Sequence, residues 1–122
     1  MNIDELIQLI VTTADESKGE SIEWIDVQNG NFPVQKIVLI TAMNNVHLRA
    51  MAETISLKAR EEIRAAGDAA EMLEPIISGK SESGWIVLDF ATLAVHILTL
   101  ELRNYYELDS FFEKQGVVYH HQ

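Results

Sequence analysis

A long stretch of helical periodicity in the middle of the chain limits the possible folds more than any other feature. One face of this stretch is apolar and carries Leu48, Met51, Ala52, Ile55, Ala59, Ile63 and Ala66. Asn44 or Asn45 can cap its start and Gly67 can end it, so a helix is predicted over Asn45–Ala66. At 1.5 Å per residue this helix is ~33 Å long, which is enough to cross a whole small sheet.

Helical and strand patterns alternate on both sides of this helix. Helical spacing predicts three further helices at residues 4–17, 100–106 and 107–114. Runs of β-branched and aromatic residues predict five strands at 21–27, 34–41, 74–77, 85–90 and 93–98, and Pro75 indicates an edge strand. We therefore expect an α/β single domain over residues 1–114, with a mixed β-sheet of about five strands and helices packed on it. Residues 115–122 are expected to form a frayed C-terminal tail.

The charge of the chain excludes whole classes of partner. It has 9 Lys and Arg against 19 Asp and Glu, a formal net charge of −10. Proteins that grip nucleic acid neutralise phosphates with Lys and Arg, so we expect no direct DNA binding and no binding to an anionic membrane. No apolar stretch approaches the ~20 residues that span a bilayer, and no basic segment of a signal peptide is present. The composition predicts a soluble, cytoplasmic protein whose charged partners are basic.

The residue pattern contains no recognisable catalytic constellation. Neither Asp26 nor Asp89 has a second carboxylate two positions away in its strand, as metal-dependent nucleotidyl transfer needs. The four histidines lack the spacing of helical zinc sites, and the chain has no cysteine. We therefore predict no catalytic residue, no metal site and no cofactor.

The histidines have ordinary structural interpretations. His96 lies within an apolar strand, which favours a hydrogen-bonded core or edge histidine over a ligand. His47, in the first turn of the long helix, is interpreted as a solvated polar residue. His120 and His121 lie in the predicted tail, where metal binding would have little specificity.

Aromatic residues offer a different kind of function. Trp85 directly follows a glycine-containing loop, and Tyr105 and Tyr106 are adjacent, so these three rings cannot all point into the core. Trp, Tyr and Arg are the residue types that anchor protein interfaces, and Arg103 lies close to the two tyrosines in sequence. This cluster is the candidate interaction site.

The same region resembles a known family. Three segments carry the resemblance: a tryptophan strand at residues 84–90 (GWIVLDF), a valine-histidine strand at 95–97 (VHI) and a helix at 101–108 (ELRNYYEL). They are similar to the C-terminal half of the ribosomal silencing factor family, also called iojap-like proteins. Earlier landmarks of that family follow in the right order at residues 18–19, 25–27, 36–41 and 65–67, so the resemblance covers roughly residues 6–112.

Several positions depart from the family pattern. Gln35 replaces an aspartate, and Val46 replaces the arginine after a turn that is Thr-Gly-Thr-Ser in the family. Ser78 replaces the glutamate of a glutamate-glycine loop, and Ala91 and Thr92 replace a Gly-Asp hairpin turn. In addition, a phenylalanine, residue 112, replaces the final tryptophan.

The resemblance implies both a fold and a function. The implied fold is nucleotidyltransferase-like without the catalytic carboxylates. The implied function is translational silencing: such proteins bind ribosomal protein fourteen of the large subunit, block association with the small subunit and form homodimers when free. On this basis the predicted partner-binding residues are Trp85, Asp89, His96, Glu101, Arg103, Tyr105 and Tyr106.

Two other functions remain open from the residues alone. The first is a nucleotidyltransferase-like enzyme that uses Mg²⁺ and a nucleotide, which only the analogy of fold supports. The second is a homodimeric adaptor that has lost its affinity for the ribosome through the departures above.

Overall fold

The computed structural model describes residues 1–121, within which four α-helices and six strands form one α/β unit. The helices are α1 Ile3–Glu16, α2 Asn45–Ala66, α3 Leu100–Tyr105 and α4 Leu108–Glu113. The strands are β1 Glu20–Val27, β2 Lys36–Ala42, β3 Ile76–Lys80, β4 Trp85–Asp89, β5 Leu93–Thr99 and β6 Gly116–His120. The long central helix has the predicted bounds, and Asn44 caps it by accepting a hydrogen bond from the backbone N–H of His47.

The strands form one mixed sheet in the order β3-β4-β5-β2-β1-β6. The central strands β2 and β5 are parallel, and every other described neighbouring pair is antiparallel. This confirms the predicted mixed sheet with helices packed on it. The strand after Pro75 lies at one edge, as the proline indicated.

The two faces of the sheet are covered to different extents. On the first face, α1 and α2 enclose the larger core, which includes Ile7, Met51 and Ile40. On the second face, α3 and α4 cover a smaller cluster around Leu39 and Phe112. The shorter helices leave β3 uncovered, since each of its five residues is exposed. The second face therefore remains open toward this edge.

The C-terminal segment is a strand, so the prediction of a frayed tail is wrong. β6 pairs with β1 in antiparallel register, with Tyr119 opposite Trp24. A Cβ atom on Gly116 would overlap the carbonyl oxygen of Asp26, so glycine permits the close approach of the two strands. The partner strand lies near the other end of the chain, and pairing over that separation is not visible in a local pattern.

The strand predicted at 74–77 is displaced toward the C-terminus. β3 begins at Ile76 and includes residues 78–80, and Gly79 adopts a positive φ of 86° there. The connection between β4 and β5 is a tight hairpin, although Ala91 and Thr92 are unfavourable turn residues. Asp89 compensates because its Oδ1 accepts a hydrogen bond of 2.8 Å from the backbone N–H of Ala91, which has a φ of 72°.

No helix in the described part of the chain is both long enough and apolar enough to cross a bilayer.

Candidate protein-docking surface

Alternation along β4 places every second side chain on the open second face. Trp85 and Val87 point to this face, and their partners on the neighbouring strand β5 are Leu98 and His96. Sequence reasoning did not include Val87, although its position between two predicted contact residues of one strand was a sufficient signal. This part of the sheet is the floor of the candidate site.

A chain of neighbouring rings crosses this floor. The ring centroids of His96 and Trp85 are 5.8 Å apart, those of Trp85 and Tyr106 are 5.5 Å apart, and those of Tyr106 and Tyr105 are 4.9 Å apart. Behind them, Phe112 of α4 packs against His96 at 5.3 Å. We call Trp85, His96, Tyr105 and Tyr106 the aromatic surface. They come from β4, β5 and the C-terminal end of α3, and they are four of the seven predicted partner-binding residues.

The solvent exposure of these rings increases from His96 and Trp85 to the two tyrosines. Trp85 and His96 are half-buried, whereas Tyr106 is 53% exposed and Tyr105 is 75% exposed. The two tyrosines therefore project from a floor that is already packed. Such an arrangement gives rigid aromatic area to a partner at a low cost in side-chain entropy.

His96 is hydrogen-bonded within the floor, which agrees with its interpretation as a core or edge histidine. Its Nδ1 accepts a hydrogen bond of 3.1 Å from the indole N–H of Trp85. Burial lowers the pKa of the His96 imidazole from its ordinary value to about 4, because desolvation penalises the charged ring. His96 is therefore neutral at physiological pH.

The two predicted carboxylates lie on different sides of the aromatic surface. Glu101 is exposed in the first turn of α3, one helical turn before Tyr105. Asp89 is exposed at the opposite end of β4 from Trp85, about 13 Å along the strand. Only Glu101 is therefore close to the tyrosines.

Arg103 is buried, so the prediction that it contacts a partner needs correction. The residue is 2% exposed, and its guanidinium donates hydrogen bonds of 2.9 and 2.6 Å to Asp109. It also donates to the carbonyl oxygen of Ser21 and the hydroxyl of Thr41, and it pairs with Glu23 at 3.1 Å. Arg103 thus ties α3 to α4, β1 and β2, because acceptor groups from all three elements converge on it.

The pKa values of the two carboxylates that contact Arg103 are shifted in opposite directions. Burial raises the pKa of the Glu23 carboxyl above its usual value, although the nearby Arg103 charge acts in the other direction. The hydrogen bond from Arg103 lowers the pKa of Asp109, which is more exposed. His120 of β6 adds a further contact, with its Nδ1 3.3 Å from Glu23. This cluster stabilises the fold beneath the aromatic surface.

His47 also has a different environment from the one predicted. Its Nδ1 accepts a hydrogen bond of 2.9 Å from the backbone N–H of Met43, and its Nε2 lies 2.7 Å from the carbonyl oxygen of Ser17. The residue therefore joins the end of α1 to the turn before α2, and it is not simply a solvated polar residue.

Among residues 1–121, no group of three or more His, Asp or Glu side chains is arranged to hold a metal ion.

Comparison with known proteins identifies the family. The model of the family described as "Ribosomal silencing factor during starvation" matches residues 1–121. The chain belongs to this family. A ribosomal silencing factor from Chromobacterium violaceum is 25% identical over 116 residues, which are 94% of this chain and 88% of that protein. An iojap-related mitochondrial protein from Arabidopsis thaliana is 25% identical over 117 residues, 94% of this chain and 61% of that protein. The resemblance at residues 84–108 is thus confirmed.

Solved structures share the fold of this protein over nearly the whole chain. A crystal structure of a protein from Chromobacterium violaceum superposes with a TM-score of 0.77 at 22% identity, covering 93% of this chain and 88% of that one. A crystal structure from Bacillus halodurans gives a TM-score of 0.68 at 21% identity, covering 88% and 93%. The α/β class with a mixed sheet is common to them.

Proposed function

We propose that this protein binds the large ribosomal subunit through the aromatic surface and blocks its association with the small subunit, which represses translation. The proposed contact is ribosomal protein fourteen of the large subunit. Membership of the silencing-factor family supports a role at the ribosome. The single observation that favours this surface is the exposure of Tyr105 and Tyr106 on a packed floor that holds Trp85.

Charge and geometry support a basic protein as the contact. With a net charge of −10, the chain is repelled by exposed rRNA and attracted to a cationic protein patch, which also orients the encounter. Glu101, beside Tyr105, can pair with Lys or Arg at the rim of the surface. Silencing by occlusion requires only occupancy of the joining interface, so no bond-making step and no cofactor is part of the proposal. The site of action is the compartment that holds the ribosomes.

Co-sedimentation with purified large ribosomal subunits tests this proposal. The wild-type protein should sediment with the subunits at physiological salt and reduce the joining of added small subunits. The double variant Tyr105→Ala/Tyr106→Ala should bind at least about tenfold more weakly, because exposed aromatic anchors are typical hot spots. Its far-UV circular dichroism should not change, since both rings are more than half exposed.

Tyr119→Ala provides a matched control. Tyr119 is 46% exposed but lies on the first face, where it stacks on Trp24. Its replacement should leave subunit binding unchanged. The proposal is overturned if the wild-type protein stays at the top of the gradient and does not affect joining, or if Tyr119→Ala weakens binding as much as the double variant.

The family resemblance also supports a homodimer when the protein is free. Sedimentation equilibrium of the purified protein measures this state directly. A mass of one chain at micromolar concentration would remove the dimer from the proposal without affecting the ribosomal contact.

A further inference from the structure

The hydrogen bond between Trp85 and His96 determines the form of the imidazole. An indole N–H can only donate, so Nδ1 of His96 must be the unprotonated acceptor of the 3.1 Å bond. The proton of the neutral ring is therefore on Nε2. Burial keeps the ring neutral at physiological pH, because it lowers the pKa of His96 to about 4.

Nε2 of His96 reaches the surface of the open face. Within residues 1–121, no protein group is hydrogen-bonded to this nitrogen, and no buried side-chain nitrogen or oxygen is left without a partner. Nε2 is consequently not a buried atom. The aromatic surface thus carries, at the end of the row of rings that lies on β5, one N–H donor with a defined position.

The surroundings of His96 allow little rotation of the imidazole. The centroid of the Phe112 ring lies 5.3 Å from that of the imidazole, and the centroid of the Trp85 ring lies 5.8 Å from it. The strand neighbours facing the same way are Leu39 on β2 and Val87 on β4. The depression of the His96 pKa has burial as its cause and no contribution from a charged neighbour. The ring is held by packing rather than by ion pairs.

The titratable groups of the surrounding elements are few. On β4 the same face carries Asp89 beyond Val87, and α3 contributes the phenol of Tyr106 through its contact with Trp85. The carboxylate of Asp109 on α4 is bound to Arg103. A titration of the ring therefore reports on its own burial and hydrogen bond.

We propose that His96 is the positioning residue of the aromatic surface: its Nδ1 fixes the Trp85 indole, on which Tyr106 packs, and its Nε2–H donates to a main-chain carbonyl oxygen of the docked protein. The first part concerns the free protein alone. The second part rests on the proposed function, because it requires a docked partner.

Two amide variants separate the two roles. The side-chain oxygen of Asn lies as many bonds from Cβ as Nδ1 does, so His96→Asn retains an acceptor for Trp85 and loses the outer N–H. The side-chain nitrogen of Gln corresponds to Nε2 in the same way, so His96→Gln retains a donor at the surface but has no acceptor at the position of Nδ1. His96→Phe keeps the aromatic volume and removes both groups.

Fluorescence of Trp85 tests the first role without any ribosome. In a Trp24→Phe background Trp85 is the single remaining tryptophan. Its emission should change with a midpoint near pH 4, because protonation of His96 at Nδ1 removes the acceptor for the indole N–H. His96→Asn and His96→Phe should lack this transition, and anisotropy at pH 7 should be lower for His96→Gln and His96→Phe than for His96→Asn. Far-UV circular dichroism recorded alongside identifies acid unfolding. The role is overturned if His96→Asn shows the same transition, or if all three variants have the wild-type anisotropy.

Binding to large subunits tests the second role. His96→Asn should weaken binding about three- to tenfold, the effect of one lost hydrogen bond, although Trp85 remains ordered. His96→Phe should weaken it further. Wild-type affinity of His96→Asn overturns the donor role. If the wild-type protein itself does not bind, the proposed function fails, while the fluorescence result still decides whether His96 positions Trp85.

Discussion

The two sides of the short helix α3 differ in almost every physical respect. Its inner side carries Arg103, which is 2% exposed and is held by groups from β1, β2 and α4. Its outer side carries Tyr105, which is 75% exposed and contacts Tyr106. The inner side connects the secondary-structure elements, and the outer side presents aromatic area to solvent. Two positions along one short helix therefore separate a residue that holds the fold together from a residue available for docking.

Removing the Arg103 side chain from the inner side of α3 should have the largest effect on stability. Arg103→Ala leaves Glu23 and Asp109 without their cation, so we expect a loss of about 3–5 kcal/mol in the free energy of unfolding. Urea denaturation followed by circular dichroism measures this. Lys114→Ala, at an exposed position after α4, should change it by less than about 0.5 kcal/mol. A loss below about 1 kcal/mol for Arg103→Ala would show that the buried network contributes little.

A substitution in β6 can also disturb the surroundings of Arg103, because His120 of β6 contacts Glu23. Gly116→Val introduces a side chain against the carbonyl of Asp26 and should separate the start of β6 from β1. Overpacking of this kind costs about 1–3 kcal/mol. Hydrogen exchange should increase at β6 and β1, while the fluorescence of Trp85 on the open face remains unchanged. Unchanged exchange at β1 would contradict the strand pairing described here.

A smaller effect is expected from Asp109 and should depend on pH. Because the pKa of Asp109 is lower in the folded protein than in the unfolded chain, this residue contributes stability above its unfolded pKa. The contribution is lost as the pH falls through the lowered folded value. The half-exposed carboxylate is screened, so we expect less than about 1 kcal/mol. In Asp109→Asn, the free energy of unfolding should therefore decrease less steeply as the pH is lowered. An unchanged decrease would show that other groups cause the loss of stability in acid.

The parts of the fold predicted correctly are those with strong local patterns. The apolar face of α2 and its Asn and Gly ends determine its bounds, and the apolar run that predicted a strand at 34–41 corresponds to β2, found at Lys36–Ala42. The motif of residues 84–108 was sufficient to identify the family, because composition and spacing agree there.

The incorrect predictions concern contacts between distant parts of the chain. Arg103 lies beside two tyrosines in sequence, which is typical of interfaces, but the carboxylate of Glu23 comes from β1 and draws it inward. β6 was missed for a related reason, although Gly116 followed by a β-branched run was a usable signal. At the site, the rings of Trp85 and Tyr106 were expected together, whereas the support from Phe112 depends on how α4 folds back.

The pairing of β6 with β1 has a consequence for synthesis of the protein. β1 leaves the ribosome well before its partner β6, so β1 keeps one unpaired edge while the segments between them emerge. Exposed edges recruit other chains, and nascent polypeptides fold from the N-terminus onward. A product terminated before residue 116 would retain the residues of the aromatic surface but would leave this edge of β1 unpaired and prone to aggregation.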